Sequence, residues 1–317
     1  MAGTAIEVKI GTSGYSYPGP PPKGWSGVFY PEIRGKKFDA LEYYSSFFST
    51  VEINTTFYRP PEPGMAKAWA RKTPAAFEFA VKAWQKFTHT RKIGEEVREA
   101  GETWESPGQV DVGLFRKGID PLTDARKLGV LLFQYPPGFH YTKENLDKLR
   151  WTLDAFNGYP KVVELRHRSW SDRAAETKKL LDECGASWVL IDEPKFGSSV
   201  RQEFDPVGRI FYLRLHGRNR EKWWSHAEAW ERYDYLYSAQ EIAEIAAKLK
   251  AVAYVQAERL GKGFVFFNNH ARGQAVVNAI MLCHEMGVPV RARLPEEMLR
   301  RFPQISGLVA PPEGELL

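Results

Sequence analysis

Eight short apolar runs, at 8–11, 50–54, 77–82, 129–134, 161–170, 187–192, 210–216 and 263–268, have the length and residue types of buried strands. Helical periodicity fills most of the gaps between them, at 38–48, 64–71, 121–127, 145–156, 174–184, 238–255 and 273–286. A chain that keeps passing from strand to helix to strand is suited to a parallel sheet with crossover helices. Eight such units within 317 residues predict an α/β fold of closed (β/α)8 TIM-like barrel type. An open doubly wound sheet is the alternative. Its usual Gly-rich turn is missing, because Gly11-Thr12-Ser13-Gly14 lacks the G-x-G-x-x-G spacing.

The strand-like runs share a second habit: apolar for several residues, then polar at the C-terminal end. After Val162 and Val163 come Glu164 and Arg166, two apart and therefore on one face of an extended strand. Glu52 and Asn54 share a face in the same way. Buried charges of opposite sign are tolerated when paired. In a barrel the C-terminal strand ends meet at one mouth, where active sites sit. The residues expected there are Ser13, Glu52, Asn54, Lys82, Gln134, Glu164, Arg166, His167, Asp192, Arg214, His216, Asn268 and Asn269.

One domain over 1–317 accommodates the whole pattern. The charged stretch 88–120, with Glu95, Glu96, Glu99, Glu102 and Glu105, is expected as a surface insertion after the third strand. The Pro-rich stretch 288–317 is expected as a packing tail. A hydrophobic fraction of 43% with 26% charged residues is that of a soluble globular protein. Cys184 and Cys283 are too few for a disulfide framework, so a reducing compartment is expected. The first residues show no basic segment followed by an apolar one, and no run is long enough to cross a bilayer. The cytoplasm is therefore the expected address. The net charge of +5 suits an anionic partner, a small molecule or a nucleic acid, without establishing one.

The chain resembles the YecE-like family, also known as domain of unknown function 72. The resemblance rests on ordered matches along most of the chain: Gly11-Thr12-Ser13-Gly14, Phe29-Tyr30-Pro31, Val51-Glu52-Ile53-Asn54 with Thr56-Phe57-Tyr58-Arg59, and Thr88-His89. It continues through Leu132-Phe133-Gln134 with Pro136-Pro137, Glu164-Leu165-Arg166-His167 with Trp170, Asp192, and Arg214 to Asn219. Tyr233 to Ser238 and Phe267-Asn268-Asn269 with Gly273, Asn278 and Ala279 complete it. Tyr15 stands where the family commonly has Trp, and the run from Pro18 to Pro22 makes an unusual first loop. The resemblance implies a TIM-like barrel and supplies no reaction.

The residue types at the mouth suit acid/base chemistry on an anionic, phosphate-bearing substrate, in a hydrolase, lyase or isomerase. Glu52 and Glu164 are two carboxylates from different strands. Arg166 beside Glu164 should keep it ionised, which makes Glu52 the candidate for a raised pKa. The duller alternative for Glu52 is an ion pair with Lys82. His216 is the expected general base or acid, because imidazole titrates near neutrality, and Asp192 completes the catalytic candidates. Tyr58, Arg59, Lys82, Arg166, Arg214, Arg218 and Arg272 are expected to bind substrate. Asn54, Gln134, Asn219, Asn268 and Asn269 are expected to orient it. Arg218, Arg272 and Gly273 are expected to frame an anion site at the start of the last helix.

His167 is expected to be structural, and Ser13 and Cys184 are weak nucleophiles: Ser13 lacks the G-x-S-x-G elbow, and Cys184 lies on a helix. No cofactor is expected. No resident metal is expected either, since His89, His216 and the acids show no metal-binding spacing and Lys82, Arg166 and Arg214 would repel a cation. The alternative function is a nucleic-acid-binding or repair-associated module using the basic rim and its aromatic residues, or a metal-dependent hydrolase resembling endonuclease IV.

Overall fold

The computed structural model describes residues 6–32, 38–89 and 106–312. In chain order its principal elements are β1 (Val8–Thr12), α1 (Ala40–Ser45), β2 (Thr50–Ile53), α2 (Pro63–Arg71), β3 (Glu78–Lys82), α3 (Gln109–Asp124) and β4 (Leu128–Gln134). They continue with α4 (Lys143–Ala155), β5 (Lys161–Glu164), α5 (Arg168–Ser171), α6 (Ala174–Glu183), β6 (Ala186–Trp188), β7 (Leu190–Asp192) and β8 (Ile210–Leu215). The last are α7 (Ala239–Val255), β9 (Lys262–Phe267), α8 (Gln274–Met286) and α9 (Glu296–Arg301). Every ladder between named strands is parallel. The fold is therefore α/β, with helices carrying the chain from one strand to the next.

The expected single eight-stranded ladder is instead two parallel sheets, ordered β1-β9-β8-β7 and β2-β3-β4-β5-β6. The expected sixth strand is split between them. Its first part, β6, pairs with β5, and its second part, β7, pairs with β8. Between the two, the Val189 amide donates to the Val163 carbonyl at 2.9 Å. At the opposite seam, Ser13 bridges Glu52 in parallel sense, and the Gly14 amide donates to the Glu52 carbonyl at 2.8 Å. Gly11 is needed here: a Cβ on it would lie 2.4 Å from the Thr50 carbonyl oxygen.

Residues of alternate parity on both sheets face one interior. At the N-terminal strand ends Lys9 of β1 meets Glu78 of β3 at 3.1 Å, and Lys262 of β9 meets the other Glu78 oxygen at 2.5 Å. Above them Phe264 and Phe266 stack with ring centroids 6.1 Å apart, and Tyr212 packs on Phe266 at 5.3 Å. Three strands from two sheets sharing one carboxylate fix the sheets' relative placement. Outside, α8 buries an unbroken run from Gln274 to Cys283. Its C-terminus is closed by Gly287 at φ +70°, a conformation that favours glycine. A reciprocal cap opens α7: Ser238 Oγ accepts from the Glu241 amide at 3.2 Å, and Glu241 Oε2 accepts from the Ser238 amide at 2.9 Å.

The expected surface insertion at 88–120 requires correction where it is described. Residues 90–105 lie outside the described residues. Residues 109–120 belong to α3, the crossover helix between β3 and β4, which buries Val112, Phe115, Ile119 and Leu122. The expected helix at 121–127 is the end of that helix. Within 288–312, Val290, Ala292, Met298, Phe302 and Ile305 are buried. Among the described residues no helix is long and apolar enough to cross a membrane.

Candidate functional site

Arg214, on β8, lies at the centre of a buried ionic network. Its Nε and Nη2 donate to Glu52 Oε2 and Oε1 at 2.9 and 2.7 Å, the fork geometry that favours arginine over lysine. Its Nη1 donates to Glu164 Oε2 at 2.5 Å and to Gln134 Oε1 at 3.1 Å. Tyr212, two residues earlier and so on the same face, donates its hydroxyl to Glu52 Oε2 at 2.7 Å. Arg166 Nε donates to Glu164 Oε1 at 2.5 Å. Strands β2, β4, β5 and β8 each contribute a member, all at the C-terminal strand ends. Glu52, Glu164 and Arg214 are buried, and Arg166 retains 13% side-chain exposure.

This geometry changes the expected roles. Glu52 is tied to Arg214 rather than to Lys82, so it is not an unpaired acid. Burial pushes the Glu164 carboxyl upward, but Arg166 and Arg214 outweigh burial and hold it well below the carboxylate range. His216 does not titrate near neutrality. Burial, reinforced by Arg214 and Arg166, drives its pKa well below the ordinary value. The hydrogen-bonding geometry agrees, because Asn268 Nδ2 lies 2.8 Å from Nδ1 and Arg166 Nη2 lies 3.4 Å from Nε2. An imidazolium would set a donor against an N–H group at both nitrogens, a neutral ring at only one. His216 is therefore a neutral, positioned ring.

Lys82, at the end of β3, is half-buried, and among the described residues its Nζ has no hydrogen bond or ion pair. It lies 4.1 Å from the centre of the Phe57 ring. Its pKa is lowered to about 7, first by burial and then by Arg214, against the opposing pull of Glu52 and Glu164.

Several expected site residues serve elsewhere. Arg218 grips Asp192 through Nε and Nη2 at 2.9 and 2.7 Å and donates Nη1 to Glu241 at 2.7 Å. Asp192 also accepts from the Tyr237 hydroxyl at 2.8 Å. Arg272 Nε donates to Asp234 Oδ2 at 3.1 Å, and the first residue of α8, Gln274, donates to Asp234 Oδ1 at 3.0 Å. The anion expected at that helix start is thus supplied by the chain's own Asp234. Asn219 Nδ2 donates to the Glu231 and Asp234 carbonyls at 3.0 and 3.2 Å, and Asn269 Nδ2 donates to the Tyr235 carbonyl at 2.8 Å; both hold loops.

Tyr58 and Arg59 are exposed. Arg59 lines a hollow of about 420 Å³ with Tyr15, Thr55, Pro61 and Trp69. His89 is buried beside Phe57, and its pKa is lowered to about 3, chiefly by burial. His167 caps α5 by accepting from the Ser169 amide at 3.2 Å. Cys184 is buried at the end of α6. Ser13 Oγ and Asn54 Oδ1 are buried without hydrogen-bond partners.

Two participants escaped the sequence reading. Tyr212 was legible, since it shares the parity of Arg214. Glu193 follows Asp192 on β7 and is buried, with Oε2 lacking a hydrogen-bond partner and lying 3.9 Å from Arg166 Nη1. Burial raises its pKa, against the pull of Arg166. Among the described residues no three His, Cys, Asp or Glu side chains gather as a metal-ligand set.

The fold and this cluster define a class: an α/β protein of parallel sheets with a buried ionic centre at its strand ends. A family model described as "Protein of unknown function DUF72" matches residues 9–300, and the chain belongs to that family. The UPF0759 protein YunF of Bacillus subtilis is 27% identical over 288 residues, covering 87% of this chain and 96% of YunF. The crystal structure of a DUF72 family protein from Thermotoga maritima is 32% identical and has a TM-score of 0.70, covering 87% of this chain and 97% of that one. A DUF72 family protein from Enterococcus faecalis, 23% identical, has a TM-score of 0.73, covering 91% and 99%.

Proposed function

We propose that the two sheets complete a (β/α)8-type barrel and that its strand-end cluster is the active site of an enzyme acting on an anionic substrate. The observation that carries this reading is a buried network that is satisfied within itself yet bordered by unsatisfied groups. Arg166 Nη1 has no hydrogen-bond acceptor among the described residues, only Glu193 at 3.9 Å. Ser13 Oγ, Asn54 Oδ1 and Glu193 Oε2 are buried without partners. Natural structures leave few such atoms, and a bound ligand or ordered water is their ordinary explanation. Arg166 is the anion holder in this reading, and Arg214 is a fixed structural charge. The nucleic-acid alternative is less favoured, because the rim cations Lys23, Arg218, Lys222 and Arg272 each pair with an acid, and of the basic rim Arg220 donates instead to the Lys195 carbonyl. Trp224 is exposed, but its neighbour Trp223 is buried.

Inorganic phosphate tests the reading. At one hundred times Kd a bound anion adds about 2.7 kcal/mol, or roughly 4 °C in Tm for a chain of this length. The expected result is a rise beyond that given by chloride at equal ionic strength, absent in Arg166→Gln. Equal gains in both proteins would mean a non-specific salt effect and no site.

A further inference from the structure

Among the described charged groups of the strand-end cluster, Lys82 stands apart because it holds no carboxylate. Six groups surround it electrostatically: Glu52 from β2, Glu164 and Arg166 from the end of β5, Arg214 from β8, and His89 and His216, which feel its charge in turn. The two acids are already engaged, Glu52 by a bidentate fork and Glu164 by both arginines. The four charges Glu52, Glu164, Arg166 and Arg214 cancel, so no net negative charge remains to hold an ammonium. What Nζ does touch is the face of Phe57. Its pKa of about 7 is the consequence, and the residue is only half-buried.

We propose that Lys82 is a nucleophile that forms an imine with a carbonyl group of an anionic substrate. The inference rests on the active-site reading above and adds its covalent chemistry. The Nζ lone pair attacks the carbonyl carbon and forms a C–N bond while the C=O π pair moves to oxygen. Both amine hydrogens leave with that oxygen as water, and a C=N bond remains. Protonated, this imine draws electrons from the adjacent carbon, the chemistry of lyases and isomerases that cleave or enolise there. Arg166, with its unfilled Nη1, would hold the substrate's anionic group.

The experiment is reductive trapping on the unsubstituted protein, so it does not depend on any variant folding. Glyoxylate, the smallest anionic aldehyde, and formaldehyde, a neutral one, are each supplied with cyanoborohydride at pH 7. The reagent delivers hydride to the imine carbon and fixes the adduct as a secondary amine, which peptide mass mapping locates. An ordinary lysine is about 0.04% free amine at pH 7, whereas one with a pKa near 7 is about half free. A less basic amine is a weaker nucleophile, which offsets part of that advantage. Lys82 should therefore be modified at least about tenfold faster than exposed lysines such as Lys67 and Lys143. Its rate should level off above about pH 7, where theirs keeps rising. Its preference should be larger with glyoxylate than with formaldehyde.

A Lys82 preference with formaldehyde alone would overturn the anionic substrate class. No preference with either would overturn the nucleophile. The phosphate experiment, which does not involve Lys82, would then decide the active-site reading separately.

Discussion

Arg214→Met is the sharpest test of the buried network, and its cost follows from the contacts. The guanidinium is 2% exposed, and both of its carboxylate partners are 0% exposed. Removing it does not strand both acids equally. Glu164 keeps Arg166 at 2.5 Å, whereas Glu52 keeps, among the described residues, only the Tyr212 hydroxyl at 2.7 Å. The loss is therefore that of one broken buried pair, about 3–5 kcal/mol, rather than two. For a chain of this length that is a fall in Tm of roughly 5–8 °C. Urea unfolding followed by far-UV circular dichroism gives the free energy directly. The partner measurement is Glu52→Gln combined with Arg214→Met, which removes the stranded charge together with its counterion. The double variant should recover about half of the loss, so the coupling is roughly 1.5–2.5 kcal/mol plus whatever Glu52→Gln costs alone. A single-variant cost below about 1 kcal/mol, or strictly additive losses in the double variant, would refute the argument by showing that water already reaches these groups.

Two further outcomes follow from the same geometry. Gly217 has φ +87°, and a Cβ there would lie 2.7 Å from Tyr235 Cβ, so Gly217→Ala should destabilise by more than about 1 kcal/mol; an unchanged unfolding midpoint would contradict the turn. The ring signals of His216 should stay flat in NMR titration from pH 8 to 5, because its folded-state pKa is depressed; a midpoint near 6.5 would contradict this. The sign for stability follows, since the unfolded imidazole takes up a proton first. The contribution of a neutral His216 is present above about pH 6.5 and is lost as pH falls below it.

The strand pattern carried much of this architecture, and parity carried much of the site. Glu52, Glu164, Arg214 and His216 sit where alternating side chains of strand ends must point, and the structure joins them in one cluster. What parity does not contain is the identity of ionic partners. Arg218 looked available for a ligand because its acids, Asp192 and Glu241, lie 26 and 23 residues away and are brought to it only by tertiary packing. The same holds for Arg272 and Asp234, 38 residues apart. The helix α3 was obscured differently. Its buried Val112, Phe115, Ile119 and Leu122 have helical spacing. However, the acidic stretch before it suggested surface, and Pro121, a residue common at first turns, suggested a helix start. The titration of His216 was not legible, since it depends on burial and on Arg166, brought from beyond the end of β5, as well as on Arg214 of β8, the strand it follows.

A buried ionic network is a poor way to hold strands together, because well-packed apolar side chains of similar volume usually stabilise a core as well or better. The lower interior of this protein shows that alternative in part, with Phe264 and Phe266 stacked between the sheets. At the strand ends the chain instead fixes two carboxylates and two guanidinium groups in a neutral array. Such an array costs stability but presents charges whose orientation needs no adjustment when a ligand arrives, which is the condition for electrostatic stabilisation of a reacting group. Its neutrality matters as much as its order. One more acid near Lys82 would capture an ammonium. One fewer would leave two guanidinium groups opposed by a single carboxylate, which would depress the Lys82 ammonium further but leave a buried positive charge uncompensated. The observed balance, with the half-buried Lys82 against an aromatic face, avoids both.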